Sequence, residues 1–269
     1  MMSSIQPVEP EAQFTADAAP TSSRNPRPDP LPLFVRLRTN LLQAPVFFLF
    51  TALCGTASLI VSYFEKTGRI QHWIARIWAR LSLMSAFSRV TVRGAENLGK
   101  LPVAVYACNH TSYMDTPAIF ASLPFQFRIL AKKELWQLPF IGWYLDRSGQ
   151  IPIDTENPRT TLSSLGKAAQ ILRAGMNLFV FPEGSRTPDG HLRTFLSGAA
   201  HLAIRAQVPI VPLALAGVYD LLPIHTKHFY PTPITLTAGE PIPTAGLTLR
   251  DADRLTETLR DAIGRLLAR

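Results

Sequence analysis

The chain has 269 residues, 47% of them hydrophobic, enough for a sizeable core and too many for a disordered protein. A formal charge of +8 would suit a nucleic-acid binder, but most of the excess lies between residues 65 and 100, directly after a membrane-length apolar run. That placement points to anionic lipid headgroups and away from nucleic acid. Cys54 and Cys108 are the only cysteines, so no disulfide framework is expected and the folded part should lie inside the cell.

Residues 1–40 read as a disordered tail. Pro7, Pro10, Pro20, Pro26, Pro28 and Pro30 are spread among Ser, Ala and Thr, without the basic start and apolar stretch of a secretory signal. Residues 41–64, LLQAPVFFLFTALCGTASLIVSYF, carry no charge, and about 20 apolar residues can cross the hydrocarbon of a bilayer. The tract is expected to be membrane-embedded. Basic residues flank it evenly, Arg24, Arg27, Arg36 and Arg38 before, Lys66, Arg69, Arg76 and Arg80 after, so flanking charge sets no orientation. Pro45 and Gly55 would also permit a bent segment that enters and leaves one leaflet.

Next, Ile70, Trp73, Ile74, Ile77, Trp78, Leu81 and Met84 recur at helical spacing, with His72, Arg76 and Arg80 on the other face. Such a helix can lie among headgroups, pack its stripe on a neighbouring domain, or do both along different parts. Residues 41–87 are therefore expected to form membrane-embedded and interfacial helices.

From residue 88 to 269 strands and helices alternate. RVTVRG (89–94), PVAVYAC (102–108), FRILAK, NLFVFPEG, PIVPLALAGV and PITLTAGE read as strands. TPAIFASL, the stretch bearing Leu162, Leu165, Ala169 and Leu172, LSGAAHLAIRAQ, and 251–269 read as helices. The expected fold is α/β, a mixed, largely parallel sheet flanked by helices.

Two polar stretches follow apolar strands. In the first, ACNHTSYMD (107–115), His110 and Asp115 would stand about 140° apart on a regular helix, so they can meet only across a strand-to-helix turn. Thr111 or Ser112 would cap the helix there. Asp115 could then fix the imidazole tautomer and leave the other ring nitrogen as a general base. The second stretch is FPEGSRT (181–187), where Gly184 allows a tight turn and Glu183 and Arg186 are expected to project. Open α/β sheets place their ligands at strand ends of this kind.

NHTSYMD, FPEGSRT and VPIVPLAL (208–215), in this order, resemble the glycerophospholipid acyltransferase family, in particular the lysophosphatidic acid acyltransferases. The resemblance runs from about Trp78 to Glu240. It implies direct transfer of an acyl group from acyl-CoA or acyl-carrier protein to the free hydroxyl of a lysophospholipid, with His110 as base and Asp115 holding it. Neither a metal nor a bound cofactor is implied; the thioester is a co-substrate. Asn109, Glu183, Gly184, Ser185 and Arg186 would serve acceptor binding, a guanidinium being suited to phosphate oxygens. Lys132 or Lys133, in AKKELWQLPFIG, resembles a family lysine near the acceptor. The chain departs from the family at SGQIPIDTENPR, where Thr155 stands in place of an Arg and Arg159, four residues on, is the candidate substitute. Another lysolipid acceptor is therefore an alternative to lysophosphatidic acid. The donors are cytosolic, which implies a membrane-associated protein whose catalytic domain faces the cytoplasm, at the inner membrane in a bacterium.

Two other readings remain: a thioesterase with Cys108 or Ser112 as nucleophile, and a non-catalytic membrane-binding module. The first lacks a G-x-S-x-G turn, and the second leaves both polar stretches without a purpose. His225 and His228 have no carboxylate nearby in sequence and match no metal-binding spacing.

Overall fold

The computed structural model describes residues 32–154 and 158–268, without the side chains of Pro158 and Arg159. Residues 1–31 of the expected tail, Thr155 and the Arg159 side chain therefore lie outside the described residues.

The apolar tract begins earlier than its composition suggests. Helix α1 (Leu33–Arg38) passes through a π turn (Thr39–Gln43) into α2 (Ala44–Ser62), a continuous helical run of 30 residues that is long and apolar enough to cross a membrane. Residues 33–40 thus belong to this helix and not to the tail. Neither Pro45 nor Gly55 breaks it; the π turn lies ahead of Pro45, which has no N–H to offer an α-helical ladder.

Helix α2 is built inside out. Thr51, Gly55, Ser58 and Ser62, spaced along one stripe, are buried, while Phe48, Leu49, Leu53 and Ile60 are exposed. The small stripe lets α2 lie close against α3 (Arg69–Ser85), where the Trp78 indole N–H donates to Thr51 Oγ1 at 3.0 Å.

Helix α3 has neighbours on two sides, which redistributes the face expected from its apolar period. Ile74, Ala75, Ala79 and Leu83 enter the core, whereas Ile70, Trp73 and Met84 stay exposed. His72, expected on the polar side, is buried between Phe120 and Phe127 with Nε2 3.1 Å from the Phe125 carbonyl. Burial, helped by the positive charges of Arg128 and Arg76, pushes its pKa down to about 4.

After α3 come β1 (Val90–Arg93), β2 (Val105–Cys108), α4 (Asp115–Ser122), β3 (Phe127–Lys132), α5 (Ile141–Arg147) and β4 (Ile151–Ile153). Then follow α6 (Pro158–Arg173), β5 (Asn177–Val180), α7 (Gly198–Ala206), β6 (Ile210–Ala216), α8 (Val218–Leu221), β7 (Ile234–Ala238) and α9 (Ala252–Leu267). The strands form one sheet in the order β1-β7-β6-β2-β5-β3-β4. Every neighbouring pair is parallel except β6 and β7, in keeping with the mixed, largely parallel sheet expected.

Both sheet faces are covered. Along β2, Tyr106 and Cys108 point into a core shared with Ala79 and Leu83 of α3 and Ile119 of α4. Val105 and Ala107 point the other way, onto Ala168, Leu202 and Leu259 from α6, α7 and α9. Helix α3, within the expected 41–87 stretch, thus contributes to the main core of the α/β domain.

The α2 seam is tight at Gly55, where an added Cβ would stand 2.6 Å from the Cβ of Phe140, just ahead of α5. Replacing Gly55 by Leu should force α2 away from α5 and destabilise the protein by about 1–3 kcal/mol. Thermal unfolding in detergent would register a lower Tm; a wild-type Tm would show that the seam yields freely.

Candidate active site

Strands β2 and β5 lie side by side and parallel, with Ala107 opposite Val180, so both chains leave the sheet at the same edge. His110 follows β2 and Phe181 follows β5. Their rings stack at 3.9 Å with a 13° tilt.

Asp115 opens α4 and is fully buried, against 19% exposure for the His110 side chain. Its Oδ2 accepts from His110 Nδ1 at 2.7 Å, from the Thr111 N–H at 2.6 Å and from the Ser112 N–H at 2.8 Å. The carboxylate therefore caps the turn that precedes it, while the N-cap of α4 is Met114, whose N–H donates to Ser112 Oγ at 3.2 Å, and not the expected Thr111 or Ser112. Donation by Nδ1 to a carboxylate fixes the tautomer and leaves Nε2 with its lone pair, the form a general base requires. Among the described residues Nε2 has no protein partner.

Glu183 does not project from its loop. It is buried, with Oε1 accepting from the His110 N–H at 2.7 Å and Oε2 from the Arg193 N–H at 3.1 Å. The Thr187 N–H in turn donates to the His110 carbonyl at 3.0 Å. Both peptide groups of the histidine are thus held by the segment after β5. Burial pushes the Glu183 carboxyl up to about 7, against the pull of its two N–H donors. Gly184 adopts φ +67, and a Cβ there would meet Leu196 at 2.7 Å.

Asn109 is also turned to structural use. Its side chain donates to the Leu215 carbonyl at 3.0 Å and accepts from the Leu215 N–H at 2.8 Å, bracketing β6. Ser185 accepts from Arg193 Nη1 at 2.6 Å. Arg186 does project, with its Cζ 3.5 Å from the centre of the Tyr113 ring. Lys132 is exposed at the end of β3, and Lys133 pairs with Asp154 at 2.6 Å. VPIVPLAL forms the buried strand β6, and Pro212 lies opposite Ala107.

The nucleophiles of the thioesterase reading are unsuited to the task. Cys108 is wholly buried, with its thiol pushed well up by burial, and Ser112 Oγ donates to the Leu222 carbonyl at 2.6 Å. Among the described residues no three His, Cys, Asp or Glu side chains converge as a metal site would need.

The acyltransferase family model matches residues 89–216, which span both motif turns. The fold and sequence also resemble the crystal structure of the 1-acyl-sn-glycerophosphate (LPA) acyltransferase PlsC from Thermotoga maritima, with a TM-score of 0.74 and 25% identity. That likeness covers 87% of this chain and 96% of PlsC. Residues 89–216 are thus similar to the acyltransferase family. Curated relatives include two 1-acyl-sn-glycerol-3-phosphate acyltransferases: the human beta enzyme, 29% identical over 86% of this chain and 87% of the relative, and the chloroplastic LPAT1 of Arabidopsis thaliana, 33% identical over 58% of this chain. The chain spans 43% of the LPAT1 length and 49% of the Brassica napus relative BAT2.

Phe181 and Tyr113 lie inside the two motifs, yet their ring contacts were not legible, because stacking depends on how two loops approach and not on spacing within either.

Folding raises the Glu183 pKa from 4.5 to about 7, so the native state binds this proton more tightly than the unfolded chain. The stability it contributes is complete below pH 4.5 and is lost as pH rises through about 7, a change on the order of 3 kcal/mol. Comparing Glu183→Gln with wild type by denaturant unfolding across pH 4.5–8 should show this slope in the wild type alone; parallel curves would refute the assignment.

Proposed function

We propose that the protein is a membrane-bound lysophosphatidic acid acyltransferase, moving a fatty acyl group from acyl-CoA or acyl-carrier protein to the free hydroxyl of the lysolipid to give phosphatidic acid. The observation that carries this reading is the contact of His110 Nδ1 with buried Asp115, at a sheet edge shared with Arg186. The family match and the relatives' names support it.

In this mechanism His110 Nε2 takes the proton of the acceptor hydroxyl as its oxygen attacks the thioester carbonyl. The tetrahedral intermediate then expels the thiolate, and the imidazolium returns the proton to sulfur. Asp115 keeps the ring in one tautomer and stabilises its charged form. No acyl-enzyme is formed, consistent with the burial of Cys108 and Ser112. Arg186 meets the acceptor phosphate. Asn109, Glu183 and Ser185 act through the backbone and neighbouring side chains they hold, and Gly184 through its turn. Lys132 and Lys133, at the end of adjacent β3, supply positive charge toward the acceptor or the donor.

The apolar face of α1 and α2 supports membrane association, and the basic stretch at 65–100 suits anionic headgroups. Because the buried stripe of α2 is joined to the catalytic domain from Thr51 to Ser62, we read this helix as lying in one leaflet, with the domain on the cytoplasmic face. The tail before residue 32 would then share the domain's side. In sealed vesicles, protease that reaches the domain should also remove the tail; selective protection of the tail would mean that the helix crosses.

His110→Ala should lower kcat for acyl transfer roughly a thousandfold, and Asp115→Asn roughly a hundredfold, while both variants still sediment with membranes. Purified protein assayed against a panel of lysolipids, with acyl-CoA and acyl-carrier protein as donors, tests the whole reading. Wild-type turnover in His110→Ala would end the general-base mechanism, and turnover of every acceptor except lysophosphatidic acid would end the substrate assignment.

A further inference from the structure

Between His110 and Asp115, the side chains of Thr111, Ser112 and Met114 are buried, whereas Tyr113 is 57% exposed. An outward-facing aromatic in a tightly bonded turn serves no packing need of the turn itself. Its ring instead lies under the Arg186 guanidinium, with Cζ 3.5 Å from the centroid. That distance equals the thickness of two stacked planes, so the cation rests on the ring face and its N–H edges stay free for an anion. Among the described residues Arg186 has no carboxylate partner.

The two side chains reach each other from different loops. Tyr113 comes from the turn after β2 and Arg186 from the turn after β5, and the Thr187 N–H, next to Arg186, is bonded to the His110 carbonyl. Whatever the guanidinium binds is therefore held at a fixed offset from the imidazole. A flexible arginine on a glycine turn would otherwise have to be ordered by each substrate in turn.

Deepening the acyl-transfer reading on which it rests, we propose that Tyr113 is a positioning residue that selects phosphomonoester acceptors by holding Arg186 face-on, with its N–H edge presented to the phosphate. Binding of a phosphate-bearing acceptor is strengthened because the guanidinium is ordered beforehand. An acceptor with the same acyl chain and hydroxyl but no phosphate gains nothing from it.

The full-length protein in mixed micelles, assayed with lysophosphatidic acid and with monoacylglycerol, tests this. Tyr113→Ala should raise KM for lysophosphatidic acid about two- to fivefold, the span of an exposed cation–π contact, with the loss in KM and not in kcat. Tyr113→Trp should restore the low KM, whereas Tyr113→Leu, apolar but without a π face, should not. KM for monoacylglycerol should not follow this series. In an Arg186→Ala background, Tyr113→Ala should add no further loss.

An unmoved KM in Tyr113→Ala, a Leu variant as good as Tyr, or additive losses in the double variant would each overturn the role of Tyr113 and leave the enzyme assignment standing. Absence of transfer to lysophosphatidic acid by the wild-type chain would instead overturn the proposed function itself.

Discussion

The geometry of the candidate site depends on the grip that the segment after β5 takes on a single peptide unit of the segment after β2. The Glu183 carboxylate holds the His110 N–H, and the Thr187 N–H holds the His110 carbonyl. Since β2 and β5 are adjacent and parallel, the sheet sets the distance between these two segments. Within that frame Asp115 has only to orient a ring whose backbone is already placed. The Phe181 ring closes one face of the imidazole, which restricts its rotation further.

This arrangement separates residues that make contacts outward from residues that make them possible. Glu183 and Asn109 are polar and lie in the motif segments, yet both are spent on backbone groups, of His110, Arg193 and Leu215. A buried N–H without a partner is costly, and one carboxylate oriented toward two such donors relieves both. Burial of the same carboxylate raises its pKa, so a group with no direct part in the proposed proton transfer still titrates near neutrality.

The α/β sheet and the meeting of His110 with Asp115 were legible in the sequence, because strand alternation and a five-residue gap across a turn leave few geometries. The direction of Glu183 was not. After a strand ends, a polar side chain can face solvent or turn inward, and only the neighbouring loop's unpaired N–H groups decide which. His72 shows the same limit: helical period places it opposite the apolar stripe, but α3 is covered on two sides and draws it inward against Phe127. The start of the apolar helix was misplaced by eight residues because Arg36 and Arg38 look like a polar flank. In the structure Arg38 instead donates to the Phe229 carbonyl at 2.8 Å, which lets the helix begin upstream.

Helix α2 reverses the size rule of an ordinary amphipathic helix, with small residues hidden and bulky ones outside. In the proposed membrane-bound state its outer positions have to satisfy only a fluid hydrocarbon, which has no fixed shape, so Leu, Ile and Phe are interchangeable there. Thr51, Gly55, Ser58 and Ser62 are buried against the domain, and at Gly55 even a Cβ would collide with Phe140. The shape constraint on this helix therefore lies away from its oily side. Four of its least hydrophobic residues carry that constraint.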